Sequence, residues 1–137
     1  MPSDLTRFLH AQEGVYDRAL AEIKVGRKQT HWMWFIFPQI RGLGRSEMAR
    51  RYAIRDLAEA EAYLNHPILG PRLVECAEAV LAVTGRSAWE IFGSPDDLKL
   101  QSSATLFAQV AKPDSVFERL LAKYFRGERD AATLALS

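Results

Sequence analysis

The chain has 137 residues, of which 48% are apolar and 26% are charged, as in an average soluble globular protein. Such a length predicts one domain over residues 1–137, and the composition excludes a disordered chain, a collagen-like repeat and a disulfide scaffold. Cys76 is the only cysteine. No apolar run approaches the ~20 residues of a membrane-spanning helix, and the first residues lack the pattern of a signal peptide. We therefore expect a cytoplasmic protein that does not enter a membrane.

Helix caps begin at the start of the chain. Ser3 or Asp4 predicts the cap of a first helix, which breaks or kinks near Gly14 and ends at Gly26. Ser46 predicts the start of another short helix.

The middle of the chain carries two capping-box patterns. Asp56 with Glu59 predicts the start of one helix, and Ser87 with Glu90 predicts a one-turn helix. Between them, Pro71 suits a first helical position ahead of apolar residues at helical spacing.

Further start signals follow towards the C-terminus. Ser94 and Pro95 predict a cap and a first-position proline, residues 113–114 predict the start of the last long helix, and Asp130 predicts the cap of a final turn. Together these signals predict an all-α fold, a compact single-domain bundle of about six to eight short helices in irregular orthogonal packing.

Residues 32–37 have no polar face and read WMWFIF. Their composition suits either a buried strand or a short helix that is buried on all sides. Because nothing else in the sequence reads as a strand partner, we favour the buried helix.

The net charge of +1 hides an asymmetry. Residues 24–55 contain eight basic residues and one acid, a charge of +7, whereas 10 basic and 16 acidic residues elsewhere give −6. Such a block predicts a site for an anion such as a phosphate or a nucleotide. The alternative is that these cations pair with the acidic remainder. A pI of about 7.9 argues against nucleic acid, whose binding domains usually exceed about 9.

The first candidate site lies inside this block, at residues 30–45. Trp32 and Trp34 each offer a ring face and an indole N–H, and His31 titrates in the range useful for acid–base chemistry. Arg41 and Arg45 flank a Gly-x-Gly that permits close backbone approach to a phosphate. The spacing matches neither a Rossmann fingerprint nor a P-loop. The alternative is that the aromatic residues are simply core.

The second candidate site spans residues 94–107 and opens with two acids. Asp96 or Asp97 is a candidate general acid or base, while Lys99 and Ser102 are candidate ligand contacts. The alternative is a solvated helix start that the helix dipole favours. The three histidines have no metal-ligand spacing, and Cys76 is expected to be a buried, inert thiol. We therefore expect no metal and no cofactor.

These two stretches resemble a small, largely bacterial family, domain-of-unknown-function family 1810, over essentially the whole chain. The resemblance implies a compact all-helical domain without established activity; some members carry the label calpastatin, which nothing in this sequence supports. A fainter resemblance is to the NADAR group, helical domains that act on N-glycosidic bonds. The matching segments are HWMWFIFPQ at 31–39, GLG at 42–44, YAI at 52–54, HPILGPRL at 66–73, IFG at 91–93 and DDLKL at 96–100, with Ser102, Thr105, Leu106 and Phe107.

The leading hypothesis is a site for a phosphorylated small molecule, similar to ADP-ribose, in a monomer or weak dimer. Asp96, Asp97 and His31 would serve an N-glycosidase-like hydrolysis. The alternatives are a non-catalytic module that uses its basic face on an anionic partner, and a plain helical interaction protein. The expected ligand contacts are Arg27, Lys28, Trp32, Trp34, Gln39, Arg41, Arg45, Arg55, Lys99 and Ser102.

Overall fold

Ten α-helices follow one another in the computed structural model, which describes residues 4–137. The predicted all-α class is confirmed. The count slightly exceeds the predicted six to eight, and three of the ten helices have only four or five residues. The helices are α1 (Thr6–Gln12), α2 (Tyr16–Val25), α3 (Met33–Ile36), α4 (Glu47–Arg51), α5 (Leu57–Asn65), α6 (Leu69–Ala82), α7 (Ala88–Phe92), α8 (Asp96–Ala108), α9 (Val116–Phe125) and α10 (Ala131–Leu136).

Helix α8 lies at the centre of the packing, against α5, α7, α9 and α10. Its buried face includes hydroxyl residues as well as apolar ones. The hydroxyl of Ser102 donates to the carbonyl of Leu98 (3.1 Å), and that of Thr105 donates to the carbonyl of Gln101 (2.8 Å). Because these bonds stay within the helix, Ser102 and Thr105 enter the core with their donors satisfied. The hydroxyl of Ser103, which is also buried, has no hydrogen-bond partner among the described residues.

Residues 32–37 form a buried helical turn, α3, as predicted. The chain then runs extended, and an isolated parallel bridge joins Ile40 to Ile54. The N–H of Arg41 donates to the carbonyl of Ile54 (2.8 Å), and the N–H of Ile54 donates to that of Gln39 (2.9 Å). This bridge closes residues 41–53 into a loop that carries α4 and several arginines.

Most of the predicted caps are confirmed. Gly26 ends α2 in the left-handed conformation (φ 82°). Ser46 and Asp56 accept hydrogen bonds from the backbone N–H three residues on. Ser87 and Glu90 form a complete capping box. The predicted cap at Asp130 of α10 is also present.

The predicted starts of α6 and α8 were wrong by one or two residues. Helix α6 begins at Leu69, so Pro71 is its third residue, where the N–H it lacks would have no intrahelical partner. In α8 the cap position is Pro95, not Ser94. The carbonyl of Pro95 already accepts from the N–H groups of Leu98 (3.0 Å) and Lys99 (3.1 Å).

Three further start signals also need correction. Ser115 caps α9, one residue after the predicted 113–114. Glu59 does not close a capping box on Asp56, because its carboxylate binds arginines and the N–H of Arg55. Of the two caps predicted for the first helix, Ser3 lies outside the described residues. Asp4 accepts from the N–H of Thr6 (3.0 Å), but the cap position of α1 is Leu5, not Asp4.

Candidate functional site

The two candidate sites are in direct contact through a lysine. Nζ of Lys28 lies 2.8 Å from Oδ2 of Asp96, at the start of α8. Nζ of Lys99 lies 3.4 Å from Oδ1 of the same carboxylate. The Lys28 side chain is only 7% exposed and that of Asp96 is 19% exposed. Asp96, a predicted catalytic acid or base, thus lies between two cations; whether it reacts with a substrate stays a prediction.

The same lysines lie over the two tryptophans. Nζ of Lys28 is 5.0 Å from the ring centroid of Trp32, and Nζ of Lys99 is 5.2 Å from that of Trp34. Trp32 is completely buried, whereas Trp34 is half-buried. Cation–π attraction favours both placements. Stacking of a ligand on either ring stays a prediction, and Trp34 is the more accessible of the two.

Glu22, which the sequence did not single out, orders the loop beneath these residues. Its carboxylate accepts from the N–H of Gln29 (2.7 Å), from the N–H and hydroxyl of Thr30 (3.0 and 2.6 Å) and from the indole N–H of Trp32 (2.9 Å). Burial raises the pKa of Glu22, but the hydrogen bonds outweigh burial and lower it to about 2.

The other predicted site residues on these two segments are exposed or have partners other than Asp96. His31 is exposed, and Asp97 accepts from the N–H of Leu98 (2.9 Å). The hydroxyl of Ser102 lies 3.2 Å from Oδ2 of Asp130, so it holds the start of α10. Gln39 takes part in the bridge through its backbone carbonyl. Their catalytic and ligand-binding roles stay predictions.

Two adjoining cavities lie instead around the loop of residues 41–53. We call them the loop cavity, about 440 Å³, and the Glu59 cavity, about 490 Å³. They share Arg41, Arg50 and Ala53. The loop cavity is otherwise lined by Gly42, Gly44, Arg45 and Ala49, and the Glu59 cavity by Asp4, Arg7, Arg51, Arg55 and Glu59.

Few cations of residues 24–55 are neutralised by the rest of the protein. Within residues 4–137, Lys28 and Arg55 form salt bridges, whereas the other six basic residues of this block form none. The alternative of internal pairing therefore covers only two of the eight. Four of the unpaired six line the two cavities: Arg41, Arg45, Arg50 and Arg51.

Glu59 builds the wall of the cavity named after it. Its side chain is 1% exposed, and it accepts from Nη2 of Arg7 (3.2 Å), from the N–H of Arg55 (3.0 Å) and from Nε of Arg55 (3.2 Å). Arg7 also donates to the carbonyls of Arg51 (3.0 Å) and Ala53 (2.8 Å). The buried carboxylate thus fixes two guanidinium groups and ties α1 to the end of the loop.

Two glycines shape the loop cavity. Gly42 has φ +103°, which side-chain-bearing residues rarely adopt. A Cβ on Gly44 would lie 2.4 Å from Cβ of Ala49. At Gly44 the close neighbour is therefore α4, and approach of a phosphate to this Gly-x-Gly stays a prediction.

A family model described as "Protein of unknown function (DUF1810)" matches residues 2–136. The chain belongs to the DUF1810 family. The crystal structure of the conserved hypothetical protein Rv1873 from Mycobacterium tuberculosis is similar to it, with 56% identity and a TM-score of 0.97 over 99% of this chain and 97% of that one. No curated protein matches the chain. The family resemblance is confirmed, and neither match bears on the fainter resemblance to the NADAR group.

The loop cavity and the Glu59 cavity are together called the arginine cavities below. In this DUF1810 chain, the sequence analysis missed three of the residues that line them. Arg50 and Arg51 were counted in the basic block, but the short helix that presents them gave no site signal. Arg7 lies 34 or more positions from the other cavity arginines and only the fold brings it there. Arg7 is held there by its hydrogen bond to Glu59, which lies 52 positions away in the sequence.

The largest cavity described in this family member was also unpredicted. It is a groove of about 1020 Å³ between α5, α6 and the segment that leads into α9. Apolar side chains such as Leu64, Val74 and Val116 line it, with Glu78 and Lys112 among the polar ones.

Residues 4–137 contain no cluster of three or more His, Cys, Asp or Glu side chains arranged to hold a metal ion. None of their helices is both long and apolar enough to span a membrane. Cys76 is buried as predicted, and burial raises its thiol pKa to about 12.

Proposed function

We propose that this protein binds a phosphorylated small molecule in the arginine cavities. One observation carries the proposal. Within residues 4–137, Arg41, Arg45, Arg50 and Arg51 have no ion-pair partner, yet they line two adjoining cavities. The predicted ligand residues Arg41 and Arg45 belong to this set, and Arg55, which pairs with Glu59, also lines the Glu59 cavity.

Such a cluster costs free energy unless an anion joins it. Like charges held close together repel one another. A phosphoryl group offsets this repulsion, and the planar guanidinium of arginine pairs with its oxygens through two parallel hydrogen bonds. The cluster is therefore easier to understand as a binding site than as a contribution to stability.

The concave shape favours a small molecule over nucleic acid. The arginines line cavities of about 440 and 490 Å³, within the lower part of the size range typical of small-molecule sites. A pI of about 7.9 points the same way. The proposed class is phosphate or nucleotide derivatives, with ADP-ribose as a representative probe; the proposal includes binding and no reaction.

Isothermal titration calorimetry with ADP-ribose and with inorganic phosphate tests the proposal. Arg41→Gln and Arg50→Gln each remove a charge that both cavities share, and we expect each to weaken binding about tenfold or more. Lys24→Gln is the matched control, because Lys24 is exposed, belongs to the same basic block and lines neither cavity. We expect it to leave the affinity unchanged.

Two outcomes overturn this function. One is that the folded protein shows no heat with either probe at millimolar concentration. The other is that Lys24→Gln weakens binding as much as Arg41→Gln does. Salt-sensitive binding of polyglutamate without any response to the small anions would support the non-catalytic module for an anionic partner.

A further inference from the structure

The two arginine cavities share one wall and differ on their other sides. Arg41 and Arg50 belong to both cavities. Arg45 lines only the loop cavity, and Arg51 lines only the Glu59 cavity. Each cavity thus offers an arginine of its own next to two that are shared.

The two cavities have the same net charge when only the residues that they do not share are counted. The loop cavity has one arginine of its own and no carboxylate among its lining residues. The Glu59 cavity has three arginines of its own and two carboxylates, those of Asp4 and Glu59. Each cavity therefore carries one net positive charge of its own, and the shared wall of Arg41 and Arg50 adds two more.

The two cavities are also similar in volume. The volumes of about 440 and 490 Å³ are each more than ten times the ~30 Å³ that a water molecule occupies in the liquid. Each cavity has room for a phosphoryl group together with the carbon that carries it. A single phosphoryl group would leave one of two equally charged cavities empty.

We infer that the ligand carries two phosphoryl groups, one in each arginine cavity, with Arg41 and Arg50 between them. The inference rests on the proposed function and narrows it to organic bisphosphates and diphosphates. Two phosphoryl groups carry about three to four negative charges near pH 7, which matches the net charge of the lining arginines and carboxylates. Arg45 and Arg51 are the residues that distinguish such a ligand from a monophosphate.

Matched pairs of probes test the inference by calorimetry. Fructose 1,6-bisphosphate is compared with fructose 6-phosphate, and pyrophosphate with inorganic phosphate. We expect one member with two phosphoryl groups to bind at least about thirtyfold more tightly than its partner. The sugar pair reports on distant phosphoryl groups and the inorganic pair on adjacent ones, so the result also selects the linkage.

Two variants then assign the cavities. Arg45→Gln and Arg51→Gln should each reduce this preference to about threefold or less while the monophosphate affinity stays within about threefold, because the other cavity remains intact. Lys24→Gln, which lies outside both cavities, should keep the full preference. Circular dichroism confirms that each variant is folded.

The outcomes separate the two proposals. If every probe binds and none with two phosphoryl groups is preferred, the inference fails and the proposed function stands. If only one of Arg45→Gln and Arg51→Gln changes the preference, one cavity holds the whole ligand and the inference again fails. If none of these probes binds, the inference fails; if ADP-ribose gives no heat either, the proposed function fails as well.

Discussion

At the scale of single residues, the carboxylate of Glu22 connects α2 to the loop that leads into the aromatic segment. It lies on α2 and accepts four hydrogen bonds from a loop that begins seven positions later. The cap of α2 at Gly26 was predicted because a C-terminal glycine is a local signal. The role of Glu22 could not be predicted, because it depends on where that loop folds back.

Acid should weaken this loop in a defined pH window. The pKa of Glu22 is lowered from its ordinary value of 4.5 to about 2 in the folded protein. A group with a depressed folded pKa contributes stability that is fully present above its unfolded pKa and is lost as the pH falls towards the folded one. We therefore expect the Glu22 contribution to disappear between pH 4.5 and about 2, measured by denaturant unfolding at several pH values.

The variant Glu22→Gln isolates this effect. It keeps the shape but weakens the charge-assisted hydrogen bonds, at a cost of about 1–2 kcal/mol at neutral pH. The loss should shrink at the acid end of the window. Glu61→Gln, at an exposed position of α5, is the control. An equal loss for both variants, or a loss at Glu22 that is constant with pH, would contradict the account.

Gly70 is the position where the backbone leaves least room. A Cβ there would lie 2.0 Å from the carbonyl oxygen of Leu64, which is backbone and cannot rotate away. We expect Gly70→Ala to lower the free energy of unfolding by about 3 kcal/mol, since α5 and α6 must separate to admit the methyl group. Chemical denaturation measures it.

Gly14→Ala is the comparison for that variant. Gly14 has φ +69° and open space around its Cβ position. Its substitution should cost only the strain of the left-handed conformation, about 1 kcal/mol. If the two variants lose the same stability, close packing of α5 on α6 is not what requires glycine at position 70.

At the scale of elements, the ion pair of Lys28 with Asp96 connects the loop after α2 to the start of α8. The leading hypothesis from the sequence placed both Lys28 and Asp96 in one site. It read α8 as a helix that offers hydroxyls to a ligand. The structure buries Ser102, Ser103 and Thr105 in the core, because helix-internal hydrogen bonds satisfy two of the three hydroxyls.

A double-mutant cycle measures this connection. Asp96→Asn should lower the unfolding free energy by about 2 kcal/mol, because it leaves the largely buried Lys28 without its counter-charge. Lys28→Met should cost only about 1 kcal/mol, because Lys99 still lies 3.4 Å from Asp96. The double variant should lose little more than Asp96→Asn alone, giving a coupling of about 1 kcal/mol.

Asp97→Asn is the matched control, since Asp97 is also an acid in the first turn of α8. Both aspartates lose the same dipole interaction, about 0.5 kcal/mol, so any larger loss at Asp96 belongs to the ion pair. If Asp96→Asn does not lower the free energy of unfolding and shows no coupling to Lys28, the ion pair does not explain the acid at position 96. The predicted role of Asp96 as a catalytic group is then favoured.

At the scale of the whole molecule, charge and core are organised separately. Buried apolar residues from most of the helices form one cluster, and the helical spacing of the sequence was enough to predict that core. The excess of positive charge was also visible in the sequence. Which cations share a cavity was not, because Arg7 reaches the arginines of the loop through contacts with Ala53 and Glu59, 46 and 52 positions away.

The cost of the arginine cluster should be measurable in the ligand-free protein. Arg50 has no ion-pair partner within residues 4–137 and shares both cavities with Arg41. We expect Arg50→Gln to raise the free energy of unfolding by about 0.5 kcal/mol at low ionic strength, because it relieves repulsion. The gain should vanish at about 0.5 M salt, where the Debye length is only a few ångströms. Denaturant titrations at both salt concentrations give the comparison.

Arg129→Gln provides the opposite case. Arg129 lies outside residues 24–55 and pairs with Glu118 at 2.7 Å. Its replacement should therefore leave the free energy of unfolding unchanged or lower it slightly at low salt. A gain at Arg50 and none at Arg129 would show that the protein maintains the cluster at the expense of its own stability, as binding sites commonly do. If Arg50→Gln is instead destabilising at low salt, Arg50 serves the fold, and the anion site loses its main support.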